Sequence, residues 1–448
     1  MKKVLSVIFA LAIIFTMLPV QSFAKSDKVE IYGNKVSVHT KQICFVKGSK
    51  DEDSFSASFY DSSFKNYYYV GDETIDFKVV AEKLPELQNL VVIRSDVKNL
   101  SALANLKELV WLGLHQCDGS ENLSFLKNLT GLKKFRYTNI YGDKECQSIK
   151  PVSYLTNLTE LYLSVPAETA ADIRPLKGLT KLKKLEMDKA GSAYIDVLKN
   201  LKNLRELDLD LIGTTDMTFL KSLKKLESLD IVGKTKNISV ITELKKIKEL
   251  HIGDTNEDLS FIGEMTQLED LFLSYTNKSF TESIGNLKNL KELSLMDINN
   301  GRRYSLDFLS ELESLEYLYI MGQHDMDITG ISKLKKLKTV SIWLCEFDDL
   351  SELKKCKTLE NLQIYNCNSN FDVKWIEGAK IKELRISSGG SGIIKNMDKL
   401  ATLKNLEYLL MDFTGISEET AKKIKKAVPK CKIEVCELSY GDYETVVY

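Results

Sequence analysis

Histidine and proline are scarce in this chain, four and six among 448 residues, and their scarcity removes whole classes of chemistry. His39, His115, His251 and His324 lie far apart, and no HExxH, CxxC or paired-histidine spacing occurs. A zinc-type centre is therefore not expected, and neither is a cofactor. No serine-centred elbow, phosphate-cradling loop or dinucleotide fingerprint is present either. The prolines are scattered and no Gly/Ser/Pro linker interrupts the chain, so nothing argues for a second tethered domain. Charge of one sign is also lacking. With 62 Lys and Arg against 63 Asp and Glu, the net value of −1 gives no pull toward nucleic acid or a membrane surface.

What is there begins with Lys2 and Lys3, an apolar run from Val4 to Leu18, then Pro19 and the small-residue exit Ser22-Phe23-Ala24. That order describes a cleaved secretory signal over residues 1–24. The run of about 15 residues is shorter than the ~20 a spanning helix needs. No cysteine follows within reach of lipid attachment, and the C-terminus has no apolar tail or sorting motif. The expectation is a secreted, extracellular protein from about Lys25, free or associated with the cell surface, without membrane insertion.

The body of the sequence repeats. LANLKELVWLGL (103–114), LKNLKNLRELDL (198–209) and IGNLKNLKELSL (284–295) each place an apolar residue at every third position and close on Leu-x-Leu. That closing pair can be followed from Leu90/Val92 through Leu207/Leu209 and Leu293/Leu295 to Leu409/Met411, in about 15 coils near 22 residues apart. Leu-x-Leu has the period of a strand with both leucines inward. The preceding period of three suits 3₁₀ or irregular turns. One coil cannot bury its leucines alone, so neighbours must stack. The pattern predicts an α/β-class right-handed solenoid, a horseshoe with a concave parallel sheet of about 15 short strands and an inner arc of roughly 65 Å. Its ends differ: residues 25–83 read as an N-terminal cap with a hairpin at KVEIYGNKVSVH and a short helix at TIDFKVVAEKL. Residues 417–448 read as a C-terminal cap, with a helix starting near Ser417, a stop at Pro429 and a last strand from Cys431 to Val435.

Over residues 84–416 this pattern resembles the leucine-rich-repeat proteins, specifically the internalin-like, 22-residue class of secreted bacterial proteins. The resemblance implies the solenoid fold and a role in adhesion or host interaction, and it carries no ligand identity. One departure stands out. The family places Asn three residues after the second strand leucine, to bond backbone inside the turn. Here the position holds Ser95, Cys117, Thr255, Thr276, Gln323, Cys345, Cys367 and others, and never Asn, which leaves the turns without their usual support.

Cys345 and Cys367 occupy this inward position in adjacent coils, and of the eight cysteines they alone have a register separation, about 5 Å, that fits a disulfide. Small buried thiols are the simpler reading.

Outward strand positions have little part in the core and are freer to reflect a partner. Two zones emerge. Glu186, Asp188, Glu206, Asp208, Asp210 and Asp230 form an acidic cluster with only Lys184 as a nearby outward cation, and His251 follows Asp230 in the same column. If those two stack, the carboxylate favours a charged imidazolium. Met296, Tyr317, Tyr319, Met321, Trp343 and Tyr365 form an aromatic and methionine patch, beside which an insertion carries Arg302 and Arg303. Contiguous apolar patches of that size mark interaction sites, and Tyr, Trp and Met are enriched at interface cores. The rings are expected to be substantially exposed. Longer coils near 138–148, 165–172, 299–305 and 388–396 fall along one rim.

The leading expectation is a binding protein, not an enzyme, that takes a protein partner on its concave face. A glycan ligand or a cell-envelope scaffold is the alternative. A glycosidase using Asp208 and Asp210, about 7 Å apart on one strand, is a third reading, set back by the lack of a water-excluding pocket on an open strip.

Overall fold

The computed structural model describes residues 27–48, 67–139, 146, 148–170, 172–276, 281–297, 304–347, 349–367, 371–388, 394–439 and 442–448. Residues 1–24, Arg302 and Arg303, and most of the long-coil insertions lie outside the described residues.

One coil explains the rest. In the 3₁₀ segment Ser192–Asn200 and the turn after it, Leu198, Leu201 and Leu204 are all fully buried. Leu201 N–H donates to Leu198 O (2.9 Å) and Leu204 N–H to Leu201 O (3.0 Å). A 3₁₀ turn brings every third side chain back to the same side, so the period-three leucines point inward together. The strand Glu206–Ile212 follows, with Leu207 and Leu209 inward. The next coil pairs with it in parallel and in register, Leu207 opposite Leu229 and Leu209 opposite Ile231. The Arg205 carbonyl, just before the strand, accepts from both Glu227 N–H (2.7 Å) and Ser228 N–H (2.9 Å) of that next coil.

All 15 Leu-x-Leu pairs lie on such strands, and the fold is a leucine-rich-repeat solenoid with a concave parallel sheet and a convex side of short 3₁₀ turns. The sheet holds 19 strands, because Gln42–Val46 and Tyr67–Tyr69 extend it at one end and Lys432–Ser439 and Asp442–Val447 at the other. Among the described strands of this sheet, pairing is antiparallel only at Asp442–Val447, in the tail beyond the last strand that the sequence predicts. No pairing among the described residues joins the two ends, so the sheet is an open arc. The leading hairpin is formed by Lys28–Ile31 and Asn34–Ser37. The trailing helix Glu418–Ala427 is capped by Ser417, whose Oγ accepts from Thr420 N–H, and it buries Ala421 and Ile424.

The turns are regular without the asparagine column, because other side chains do its work. At that position Ser95 Oγ donates to Ile93 O (3.0 Å), Gln323 Nε2 to Met321 O (2.8 Å), Cys345 Sγ to Trp343 O (3.1 Å) and Cys367 Sγ to Tyr365 O (3.4 Å). Both cysteines are free thiols, and burial pushes them up, to about 12 for Cys345 and about 11 for Cys367. Asparagines serve on the convex side instead: Asn157, Asn203 and Asn289 each donate to a threonine carbonyl of the preceding coil at 2.9 Å.

The stacking leaves no slack where a glycine lies under a neighbouring coil. A Cβ on Gly330 would overlap the Leu306 carbonyl oxygen and stand 2.7 Å from Asp307 Cα. Backbone cannot step aside as a side chain can. Gly330→Ala should therefore destabilise by ~1–3 kcal/mol, the usual range for overpacking. An unchanged thermal midpoint would mean that the coils slide past each other freely.

Candidate functional site

Register turns the outward strand residues into columns crossing the sheet. The middle column runs Arg136, Tyr162, Glu186, Asp208, Asp230, His251, Phe272, Ser294 and Tyr319 on consecutive strands. At its N-terminal end the concave face is closed: Cys44, Val46, Val91, Ile93 and Trp111 form a separate buried cluster against which Tyr67 and Tyr69 pack. His115, at an outward position of the strand Trp111–His115, is buried too, and burial holds its imidazole down at about 3. The accessible face begins at Lys134–Thr138.

The acidic side chains come together as their columns require, but Lys184 is not the only cation beside them. Lys184 Nζ lies 2.8 Å from Glu206 Oε2. Arg136, two coils away, places Nη2 4.0 Å from Glu186 Oε2, and His251 Nδ1 sits 2.7 Å from Asp230 Oδ1. The His251 ring stacks on Phe272 at 4.1 Å and nearly parallel, with Nε2 3.3 Å from Ser274 Oγ. Tyr162 lies under the Arg136 guanidinium (4.6 Å) and donates its hydroxyl to Asp188 Oδ2 (3.3 Å).

Asp208 is left in the middle with carboxylates on both sides. Burial, then Asp230, Glu186 and Asp188, push its carboxyl up to about 7, against a small opposing pull from His251. Burial also raises Glu186, and burial with Asp188 raises Asp210. Sequence reasoning missed Asp270, in the first outward column between Glu249 and Glu292. Burial and those two neighbours push it up to about 6. An open groove of about 230 Å³ runs over Asp230, His251, Asp270, Phe272 and Glu292. A larger hollow, about 540 Å³, opens at the edge of the first outward column, where Glu206, Ser228 and Glu249 meet Lys245 and Lys248 of the neighbouring turns.

The aromatic patch is assembled by the same register. Met296, Met321, Trp343 and Tyr365 are neighbours in the third column, and Tyr319 and Tyr317 occupy the other two columns of Met321's strand. Trp343 packs on Tyr365 (centroids 4.4 Å apart) and on Tyr319 (6.3 Å). The Tyr319 hydroxyl donates to Met321 Sδ (3.1 Å), and Trp343 Nε1 donates to Ser341 Oγ (2.7 Å). These rings are half-buried, not substantially exposed as the sequence suggested. Coil spacing presses them against each other, so they form a fixed ledge instead of separate protruding groups.

Three residues that sequence reasoning missed extend the ledge. Arg385 lies in the middle column one strand beyond Gln363, with its guanidinium 4.9 Å from the Tyr408 ring. Tyr275 and Leu344 stand on the adjoining rim, 56% and 48% exposed. Both follow directly on a strand, where the chain turns through left-handed backbone, at φ +49 and +51. Other coils place Asp254, Asp297, Gly322 or Asn366 there, the residue types that tolerate this conformation. A bulky residue at that recurrent position was the available signal.

In architecture the chain resembles the leucine-rich-repeat proteins. Its structure is similar to that of an internalin from Listeria monocytogenes, at 20% identity and a TM-score of 0.47, over 80% of this chain and 89% of that one. It is similar to a leucine-rich-repeat protein from Leptospira interrogans at 21% identity and a TM-score of 0.48, over 78% and 90%. No family model matches the sequence, and no curated protein does. At these values the repeat assignment stands on strand register alone. Among the described residues, no group of three or more His, Cys, Asp or Glu could hold a metal ion, and no helix is long and apolar enough to cross a membrane.

Two outcomes follow for the repeat's outward columns. Asp208 is raised above its ordinary 3.8, so between about pH 4 and 7 the folded chain holds a proton that the unfolded chain releases. Its contribution to stability is complete in acid and lost as pH rises through about 7. Asp208→Asn should therefore raise the thermal midpoint more at pH 8 than at pH 5, whereas an equal shift at both would show that the carboxylate is not repelled. Leu344→Asn relieves left-handed backbone worth ~1 kcal/mol in a non-glycine residue and removes an exposed leucine. It should raise the midpoint slightly in a thermal melt, and a lowered midpoint would show that Leu344 supports the fold.

Proposed function

We propose that the protein binds a protein partner along the concave face of its repeat, as a secreted or cell-surface-associated adhesion or host-interaction protein. Residues 84–416 form the binding solenoid and residues 25–83 and 417–448 cap it. The observation that carries this reading is the ledge: Tyr319, Met321, Trp343 and Tyr365 held in mutual contact, with Leu344 exposed beside them in a conformation that disfavours leucine. Rigid rings lose little entropy on binding, and aromatic anchors with a hydrogen-bonded edge are the residues on which interface energy concentrates. A side chain kept in left-handed backbone without a place in the core points to a use outside the fold.

A glycan would use the same platform by stacking on Trp343 and Tyr365. The exposed leucine and the methionines favour protein, because sugars leave aliphatic side chains without partners. The carboxylates lie on an open sheet face, an arrangement suited to binding and not to the enclosed acid–base chemistry of a glycosidase.

The test is capture of a partner by the full exported chain, followed by titration with Trp343→Ala. A central anchor costs ~2 kcal/mol or more when truncated, which is about a 30-fold loss of affinity. Because the ring is half-buried against Tyr365, stability should also fall, by ~1 kcal/mol. A Trp343→Ala chain that melts lower but binds its partner with unchanged affinity would assign the ledge to folding. Binding to a glycan array, and to no protein, would favour the sugar reading.

A further inference from the structure

Charge on the concave face is not a sample of the whole chain. Between the strands Glu160–Ser164 and Glu292–Met296, the outward positions carry ten carboxylates, one lysine and one histidine. The carboxylates are Glu160, Glu186, Asp188, Glu206, Asp208, Asp210, Asp230, Glu249, Asp270 and Glu292, and the basic side chains Lys184 and His251. The full sequence has a net charge of only −1, so the strip is segregated from a lysine-rich remainder.

The groups that face it neutralise part of it. Lys134 reaches Glu160 (3.6 Å), Arg136 reaches Glu186, Lys184 reaches Glu206 and His251 reaches Asp230. Among the described residues, Asp208, Glu249, Asp270 and Glu292 have no ion pair within 4 Å. Asp210 is pushed up by burial and Asp188, and Lys189 opposes them through its backbone N–H and its charge. These five lie on strands between Glu206 and Met296, next to the ledge in both chain order and space.

We propose that the partner approaches with a cationic, extended polypeptide segment whose Lys or Arg side chains lie along this strip, in line with the apolar anchor it places on the ledge. The proposal rests on the concave-face reading above and names the chemistry of the partner. Five strand spacings separate Lys184 from Glu292, ~24 Å at about 4.8 Å each, the reach of roughly seven extended residues. Coil spacing forces the carboxylates close together, a repulsion of ~1 kcal/mol per adjacent pair in water that an incoming cation reverses. Burial first, and this repulsion after it, raises the Asp208 and Asp270 carboxyls. Asp208 is faced by Glu186 and Asp188 on one side, by Asp230 and then His251 on the other, and by Glu206 and Asp210 on its own strand. A bound cation favours its ionised form, so affinity should rise with pH between 6 and 8.

The probe is a labelled ten-residue peptide of alternating Lys and Ala, with its Glu and Ala counterpart as control, titrated into the full chain at low salt. The lysine peptide should bind and the glutamate peptide should not. Glu186→Gln/Asp208→Asn/Asp230→Asn should weaken binding at least tenfold and abolish its rise with pH, while melting no lower than wild type. Glu243→Gln/Glu311→Gln/Glu418→Gln, which removes the same charge elsewhere, should leave it unchanged. Trp343→Ala should also leave the lysine peptide bound, so a failed ledge and a failed strip give different results. Equal loss in the two triple variants, or no binding by wild type, would overturn the proposal. So would binding of calcium ions in place of the peptide.

Discussion

In-register parallel pairing sets a single distance, about 4.8 Å, between each coil and the next, and the rest of the molecule answers to it. Leu207 must meet Leu229, and Leu229 must meet Leu250, because no coil can bury its own leucines. Once the inward residues are fixed in that way, the outward ones are fixed as well. Glu186, Asp208 and Asp230 are brought into one column whatever their charges, and Trp343 and Tyr365 into ring contact whatever their size. Repulsion of ~1 kcal/mol per exposed carboxylate pair is small beside the ~1.5–3 kcal/mol that each buried leucine contributes. The core therefore tolerates a concave face arranged for something other than stability.

The turn that follows each strand shows the same tolerance. Its left-handed residue is Gly, Asp or Asn in some coils and Tyr275, Leu344 or Phe413 in others. Its inward residue is Ser95, Cys117, Gln323 or Cys345, each returning a hydrogen bond to the carbonyl two residues back. What the turn demands is a donor at one position and a bearable φ at the other, and several side chains meet each demand. Asparagine is one solution to the first, and this chain uses thiols, a hydroxyl and a glutamine amide instead.

That distinction explains how much the sequence disclosed. Period and register are properties of leucine spacing, so the strands, the columns, and the grouping of Glu186 with Asp230 or of Trp343 with Tyr365 were legible. Interactions that depend on side-chain reach were not. Arg136 crosses two coils to Glu186 because an arginine is longer than one strand spacing, and no pattern in the repeat announces that. The half-burial of the ledge was missed because facing away from the core was equated with exposure, although neighbouring rings at coil spacing cover one another. Asp270 lies beyond the coils from Glu186 to Asp230 over which the acidic cluster was drawn, and the tail strand Asp442–Val447 has no repeat to mark it.

Strip and ledge share one face for a reason that lies in the geometry of a one-dimensional fold. A solenoid with near-zero net charge can place its lysines on convex turns, where side chains diverge and repel little, while the concave columns converge. Like charges gathered on the converging side have no structural return, and rings gathered there gain only their contacts with each other. Each coil could be relieved by exchanging one outward residue without touching a leucine. Ten carboxylates and a continuous run of aromatic and thioether side chains nevertheless occupy adjoining stretches of the same columns, and the proposed partner would offset both costs, neutralising charge at one end of the surface and covering rings at the other.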